Sequence, residues 1–373
     1  MSLKSSAIFT RTQIWRLNNA ALFDICEHDI YHTEHYGDSS ANNTERLRKT
    51  GTDMNENDIF DFLQSSSLKS ESFNEKIEFL IEDFLVKRLI TLIYADGGTG
   101  KSYMAFALAK RLCEESQRVF FIDYDNPVGV LKQRGVDRLL INRFPNLSYI
   151  QRSSIEMDGF ELVMKLEESA IGKAYEGCVF ILDSLRDFVD INNDNRVNRL
   201  FAALKNLREA GATILILHHS NKDGRNYQGS NHIRNSLDVM YHLIKRPSPQ
   251  NELNFLCEVA KERAGVKDGG FCVDLASLQL KELDLQLARM SEYELGFTAE
   301  IRRALELGEL NKTELLNGAG YAKDDKTARD CLDKFDGKLW YSRKVGKSVI
   351  YSCRQPATTD TTITTMRSGG AFR

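Results

Sequence analysis

Long apolar runs are missing from this 373-residue chain. No stretch approaches the ~20 consecutive apolar residues that span a bilayer. The longest strings, such as residues 89–95, are strand-sized. The opening residues, MSLKSSAIFT, carry no apolar core of the kind a signal peptide needs. Membrane insertion and secretion are therefore not expected, and the cytoplasm is the expected location. Disulfide spacing is missing too. Cys26, Cys113, Cys178, Cys257, Cys272, Cys331 and Cys353 are odd in number and scattered, with no CxxC pair. That pattern argues for a reduced protein with neither a disulfide framework nor a zinc ribbon. Nor is one sign of charge in excess. Fifty basic against 53 acidic residues leave −3, so any nucleic-acid contact must come from local patches.

What is present is an ordinary globular composition, 42% hydrophobic, long enough for about two to three folding units. No internal repeat is visible. Residues 1–75 are patchy, with short helices predicted over 13–29 and 58–64, and read as an N-terminal arm with too little apolar material for its own core. From 76 to 288 the text alternates strands with helices. Strands are predicted over 89–94, 119–124, 147–151, 178–183, 213–218, 239–244 and 254–260, and helices over 102–112, 160–168 and 196–209. Continuous apolar strands between helices predict a mostly parallel α/β sheet buried on both faces. Residues 297–354 change rhythm. Helices over 299–307, 312–318 and 326–335 precede a basic hairpin, 338–343 and 347–353, around Val345–Gly346. Three helices and a basic hairpin suggest a C-terminal winged helix. The tail, 355–373, is rich in Thr, Gly and Ser and is expected to be disordered.

The most informative stretch is LITLIYADGGTGKSYMAFALAK, an apolar strand running into ADGGTGKS and then an amphipathic helix. Gly97, Gly98 and Gly100 allow a tight turn, and with Ala95, Thr99, Lys101 and Ser102 they frame a cradle of N–H groups for a polyphosphate. Lys101 adds a cation for the β- and γ-phosphates, and Ser102 a hydroxyl for Mg²⁺. The first glycine of GxxxxGK[ST] is Ala95 here, which is tolerable if that residue keeps a negative φ. The pattern predicts ATP and Mg²⁺ as cofactors.

A second apolar strand, CVFILD, ends in Asp183, placed to hold Mg²⁺ with Ser102. Residue 184 is Ser, so a catalytic base must come from elsewhere. The strand VFFID leads into Tyr124-Asp125-Asn-Pro. Asp123 and Asp125 share a face if the strand continues that far. Asp125, nearer the carboxyl edge, is the first candidate to deprotonate the attacking water, with Asp123 the alternative.

The order phosphate loop, acid on the next strand, Asp-Ser strand, then Ile-Leu-His-His-Ser resembles the RecA-like ATPases. It is most similar to the branch holding plasmid RepA replicative helicases and related phage proteins, across roughly residues 77–280. In that branch the acid matching Asp125 is normally Glu. The resemblance implies that a side chain at His218–His219 senses the γ-phosphate, with His219 preferred. It also implies that the loop 220–230, through Lys222 and Arg225, lines a central channel on a nucleic-acid strand. Residues 186–198 are its companion loop by the same resemblance, although their acidity suits a solvated loop equally well. EVAKERAG resembles the KxR element of DnaB-like helicases, which implies that Lys261 and Arg263 reach a neighbouring subunit's γ-phosphate and hence a homo-oligomer, a hexameric ring.

Two further signals complete the reading. Cys26, His28, His32 and His35 crowd together with spacing that could hold zinc. Residues 338–354 contain Lys338, Arg343, Lys344, Lys347 and Arg354 with no acid, plus Trp340, Tyr341 and Tyr351, a composition suited to phosphate contact. A protein-binding winged helix remains the alternative there. The sequence thus predicts an ATP-hydrolysing motor on DNA, single-stranded by preference, serving replication of a plasmid, phage or other mobile element. A loader or regulatory protein without unwinding activity is the alternative.

Overall fold

The computed structural model describes residues 56–74, 76–306 and 308–353. The helix predicted over 13–29, the cluster of Cys26, His28, His32 and His35, and the chain from residue 354 onward lie outside the described residues. The chain divides into two units at Glu75. In the first, α1 (Glu56–Ser65) is followed by a 3-10 turn, Ser70–Asn74.

The second unit opens with a small antiparallel pair, β1 (Phe79–Ile81) and β2 (Leu85–Val86). The strands β3 (Ile90–Ala95), β4 (Arg118–Asp123), β5 (Leu147–Gln151), β6 (Cys178–Asp183), β7 (Thr213–His219), β8 (Val239–Arg246), β9 (Glu252–Lys261), β10 (Gly269–Asp274) and β11 (Leu280–Leu283) follow. They form one nine-stranded sheet in the order β11-β10-β9-β8-β3-β7-β6-β4-β5. From β8 to β5 every pairing is parallel, and β9, β10 and β11 add an antiparallel edge. Between the strands run α2 (Lys101–Glu114), α3 (Val128–Gln133), α4 (Gly159–Glu168), α5 (Leu185–Phe188), α6 (Asp194–Glu209), α7 (Asn231–Ser236) and α8 (Leu285–Arg289). This is a mixed α/β architecture with a large, mostly parallel sheet flanked by helices.

Apolar runs such as ITLIYA and CVFILD make such strands because every residue is buried and β-branched side chains pack well on a pleated surface. Alternation then sorts the side chains between two cores. Ile93 and Ala95 join Met104, Phe106 and Leu108 of α2 on one face. Ile90, Leu92 and Tyr94 join Val197, Leu200 and Leu204 of α6 on the other. Fixing β3 between two cores leaves its carboxyl end, and the loop beyond it, little freedom.

Several boundaries differ from the sequence-based expectation, for local reasons. β10 and β11 have no counterpart in the predicted strands. GGFCVD opens like a turn, and LKEL has only two apolar positions, yet both pair over four or more residues. Residues 186–198 are not an extended companion loop, since α5 and the start of α6 take up most of them. α9 (Glu292–Glu306) starts at Glu292 rather than at 299. Glu294 accepts from the Ser291 N–H at 2.8 Å while Ser291 Oγ accepts from the Glu294 N–H at 3.2 Å, a capping box that draws the helix back to that point.

Beyond α9 come β12 (Leu310–Asn311), α10 (Lys312–Gly318), α11 (Lys326–Lys334), β13 (Tyr341–Val345) and β14 (Ser348–Ser352). The three strands pair antiparallel as β12-β14-β13. The hairpin turns at Gly346 and Lys347, with Val345 opposite Ser348. Gly346 has a φ of 62°, which favours glycine. Phe297, Ile301, Leu315, Leu316, Leu332 and Trp340 form the core of this region. Among the described residues no helix is long and apolar enough to cross a membrane.

Candidate functional site

Because β3, β4, β6 and β7 are parallel, their carboxyl ends share one edge of the sheet. Register sets Ala95 beside His219 and Asp123 beside Asp183. Open α/β sheets bind ligands at such an edge. Ala95 is fully buried inside β3, and the left-handed residues that are not glycine do not include it. The methyl group that replaces the usual glycine therefore costs no backbone strain. Gly98 and Gly100 do need to be glycine, with φ of 74° and 106°. At Gly100 a Cβ would also sit 3.1 Å from Leu253 and Phe255. No side chain caps α2, so its first N–H groups face the loop without intrahelical partners. Above Gly97 and Gly98 an added Cβ would meet nothing within 4 Å. Lys101 is buried, and its Nζ donates to the carbonyls of Ala95 (3.0 Å) and Asp96 (2.9 Å). Burial lowers its pKa, against the pull of Asp183, Asp125 and Asp96.

Two carboxylates lie under this loop. Ser102 Oγ donates to Asp183 Oδ2 at 2.9 Å. Asp183 is buried, and burial, reinforced by the Asp123 charge alongside, pushes its carboxyl up to about 7. Asp123 accepts from the N–H groups of Asp125 (3.0 Å) and Asn126 (2.8 Å), from Asn126 Nδ2, and from Tyr149 Oη at 2.6 Å. Burial raises its pKa in spite of these bonds. With its acceptors occupied, Asp123 is an anchor for the loop and a poor receiver of a substrate proton. β4 ends at Asp123, so Asp125 is not its same-face neighbour on a strand, as the spacing suggested. Asp125 lies in the exposed loop, where Arg186 donates to Oδ1 at 2.9 Å.

Among the described residues no group of three His, Cys, Asp or Glu could hold a metal alone. Mg²⁺ needs no such cage when phosphates supply ligands. Ser102 and Asp183 are the hydroxyl and carboxylate that suit it, and the open space over Gly97 and Gly98 suits the phosphates.

The two histidines diverge, as alternation requires. His218 is fully buried, with Nε2 2.6 Å from the Gln228 carbonyl. His219 Nε2 is buried without a partner. Burial lowers both to about 4, with Lys101 adding to the effect on His219, so both are neutral at pH 7. The segment 220–230 is a pinned turn rather than a free loop. Ser220 bridges Tyr227 and Asn221 N–H donates to Asn226 at 2.7 Å. Tyr94, next to the phosphate loop, stacks on His242 at 4.8 Å and donates to the Arg225 carbonyl at 3.4 Å. The Lys222 and Arg225 side chains stay exposed.

Lys261 and Arg263 are not brought to this chain's own phosphate loop. Lys261 lies opposite Met240, which pairs with Leu92 three residues before the end of β3. Its Nζ donates to the carbonyls of Arg234 (2.5 Å) and Leu237 (2.7 Å), at the end of α7. Arg263 lies 3.4 Å from the buried Asp238, which Arg208 also holds, and its side chain is 57% exposed. In the C-terminal region Trp340 and Tyr351 are core residues and not part of a surface for phosphate contact. Arg343 is paired with Glu309 at 2.6 Å, which leaves Lys344 and Lys347 exposed beside it.

Sequence reasoning missed Asn126, Tyr149 and the Asp125–Arg186 pair. Asn126 follows Asp125 directly, and its burial under Arg134 and Gln151 depends on tertiary packing. Tyr149 sits on an edge strand with no motif around it. No protein-family model matches the chain, and no curated protein matches it. Among solved structures it is similar to the flagellar accessory protein FlaH of Methanocaldococcus jannaschii. The identity is 18% and the TM-score 0.35, with 50% of this chain and 86% of that one covered. So distant a likeness carries no functional argument, and the reading below rests on the residues themselves.

Proposed function

We propose that the protein is an ATPase that drives work on DNA as a ring-forming, hexameric helicase of a plasmid, phage or other mobile element. The observation that carries the ATPase reading is the Ser102–Asp183 contact at 2.9 Å beneath a glycine loop that ends in Lys101 and an uncapped helix. The backbone N–H groups from Gly97 to Ser102 and the Lys101 ammonium bind and orient the triphosphate. Ser102 and Asp183 would hold Mg²⁺, which when bound would supply charge neutralisation to the phosphates. Asp125 takes the proton of the attacking water, and neutral His219 donates a hydrogen bond toward the terminal phosphate. Lys261 and Arg263 act on the next protomer, a role supported by their distance in register from their own loop and by the exposure of Arg263. Lys222 and Arg225 contact a single strand, and the C-terminal region is a winged helix. Lys101→Ala should abolish ATP turnover while leaving the folded state intact by circular dichroism. Unchanged turnover in that variant would sink the ATPase reading. Unwinding of a tailed duplex by the parent protein tests the helicase assignment.

A second reading, a loader or regulator whose winged helix binds protein, is favoured by one observation. The Arg343–Glu309 pair and the buried Trp340 and Tyr351 thin the basic surface of the hairpin. Absence of any salt-sensitive DNA binding would select it.

A further inference from the structure

Arg186 has no part in the reading above, although it stands at the phosphate edge. It lies in α5, directly after β6 delivers Asp183. Its NH2 group donates to Asp125 Oδ1 at 2.9 Å, and the two side chains are 48% and 30% exposed. The adjacent Asp187 accepts from Ser184 Oγ at 2.8 Å, and the same Oδ2 lies 3.9 Å from Arg186 Nε, a longer and weaker pairing than that with Asp125. Arg186 is also near enough to Lys101 and His219 for its charge to act on both. Exposed ion pairs of this kind are weak, whereas a phosphate offers a guanidinium two parallel charge-assisted bonds.

On the basis of the nucleotide reading, we propose that Arg186 is a triphosphate-sensing latch, which holds Asp125 Oδ1 and transfers to the terminal phosphate of bound ATP. The transfer adds a cation in cis and frees Asp125 for its step. In that step the water oxygen bonds to the γ-phosphorus and the bond to the β–γ bridging oxygen breaks. ADP leaves with that electron pair, and the water proton goes to Asp125 Oδ1. ADP lacks the terminal phosphate that competes with Asp125 for Arg186, so with ADP the latch stays on Asp125.

The test is the ratio of affinities for a non-hydrolysable ATP analogue and for ADP, measured calorimetrically on the full chain. Arg186→Ala should weaken the analogue about tenfold, the loss of one charge-assisted contact, with ADP affinity unchanged. Arg186→Lys, which keeps the charge without the fork, should recover part of the ratio and provides a second reading should the alanine variant fold poorly. Asp125→Asn should tighten the analogue severalfold, because the competitor for Arg186 is weakened. An unchanged ratio in Arg186→Ala, or equal weakening of both nucleotides, would overturn the latch. Parent protein that binds neither nucleotide would instead remove the site beneath it, so the two failures are distinguishable.

Discussion

The carboxyl edge of the parallel sheet and the C-terminal helical region are both rich in acids and cations, yet they handle polar groups in opposite ways. In the C-terminal region the polar side chains close on one another. Asn311 and Asp325 cap α10 and α11, and Lys334 pairs with Glu294 at 2.5 Å. The indole of Trp340 donates to Leu332 at 3.0 Å. At the sheet edge the accounts stay open. The buried side-chain atoms without a partner among the described residues belong to Thr91, His218, His219, Ser220, Arg246 and Asn254. None of the six falls in the C-terminal region; Thr91 is near the amino end of β3, while His218, His219 and Ser220 lie at the carboxyl edge, at the end of β7 or directly after it. Two carboxylates, Asp123 and Asp183, are buried side by side there at the cost of raised pKa values. Polar groups left unmatched in a buried place cost stability. The difference therefore marks where the fold gives up stability for chemistry and where it spends its polar groups on itself.

The largest expected effect tests whether the open edge is completed by another protomer. Arg263→Ala should lower ATP turnover by about three powers of ten, as the loss of a trans-acting cation does, without weakening nucleotide binding. Mixed with Lys101→Ala protein under exchange conditions, it should regain activity. Mixtures that remain inactive would confine Arg263 to its contact with Asp238 and remove the argument for a ring. On the other side of the comparison, Trp340→Ala should destabilise the C-terminal region by about 3–5 kcal/mol, the usual result of emptying an aromatic core position. Turnover per folded molecule should not change. A thermal melt and an ATPase assay on the same sample check both, and a matching loss of turnover would show that the two regions are energetically one.

How much of this was legible without coordinates follows the same division. Strands buried on both faces announce themselves as apolar runs, so β6 matches its predicted limits and β3, β4 and β7 lie within a residue of theirs; the half-exposed edge strand β5 matches as well. Ser102 and Asp183 were legible as a pair because each ends a local pattern, a glycine loop and an apolar strand. Asp123 and Asp125 read as sharing a face only if the strand continues, and it does not; nothing in YDNP says that Asp123 will turn the chain by accepting from the N–H groups of Asp125 and Asn126. The Arg186 contact crosses from β6 to the loop after β4, and no spacing along the chain encodes it. In the hairpin, composition misled. Trp340 and Tyr351 read, with the cations around them, as suited to phosphate contact, but both are buried in the core.

The smallest effect concerns pH and sharpens the contrast at one residue. Asp183 titrates near 7 because burial and the neighbouring Asp123 disfavour its charge. A carboxyl whose folded pKa is raised binds protons the unfolded chain has released, so its contribution is present below about 4 and is lost as pH climbs toward 7. His218 and His219, lowered to about 4, contribute in the opposite sense. Their stabilisation is present above about 6.5 and is lost as pH falls through about 4. Neither histidine changes charge between pH 6 and 8, so metal binding in that window reports on Asp183 alone among the three. Mg²⁺ requires the carboxylate. Its affinity in the presence of nucleotide should therefore weaken about tenfold from pH 8 to pH 6, the consequence of a pKa near 7. Asp183→Asn should bind Mg²⁺ more weakly and respond to pH only through the nucleotide's own phosphate, which makes it the reference for the titration. If the parent protein shows no steeper dependence than this variant, Asp183 is ionised throughout and the open edge is better balanced than the comparison holds.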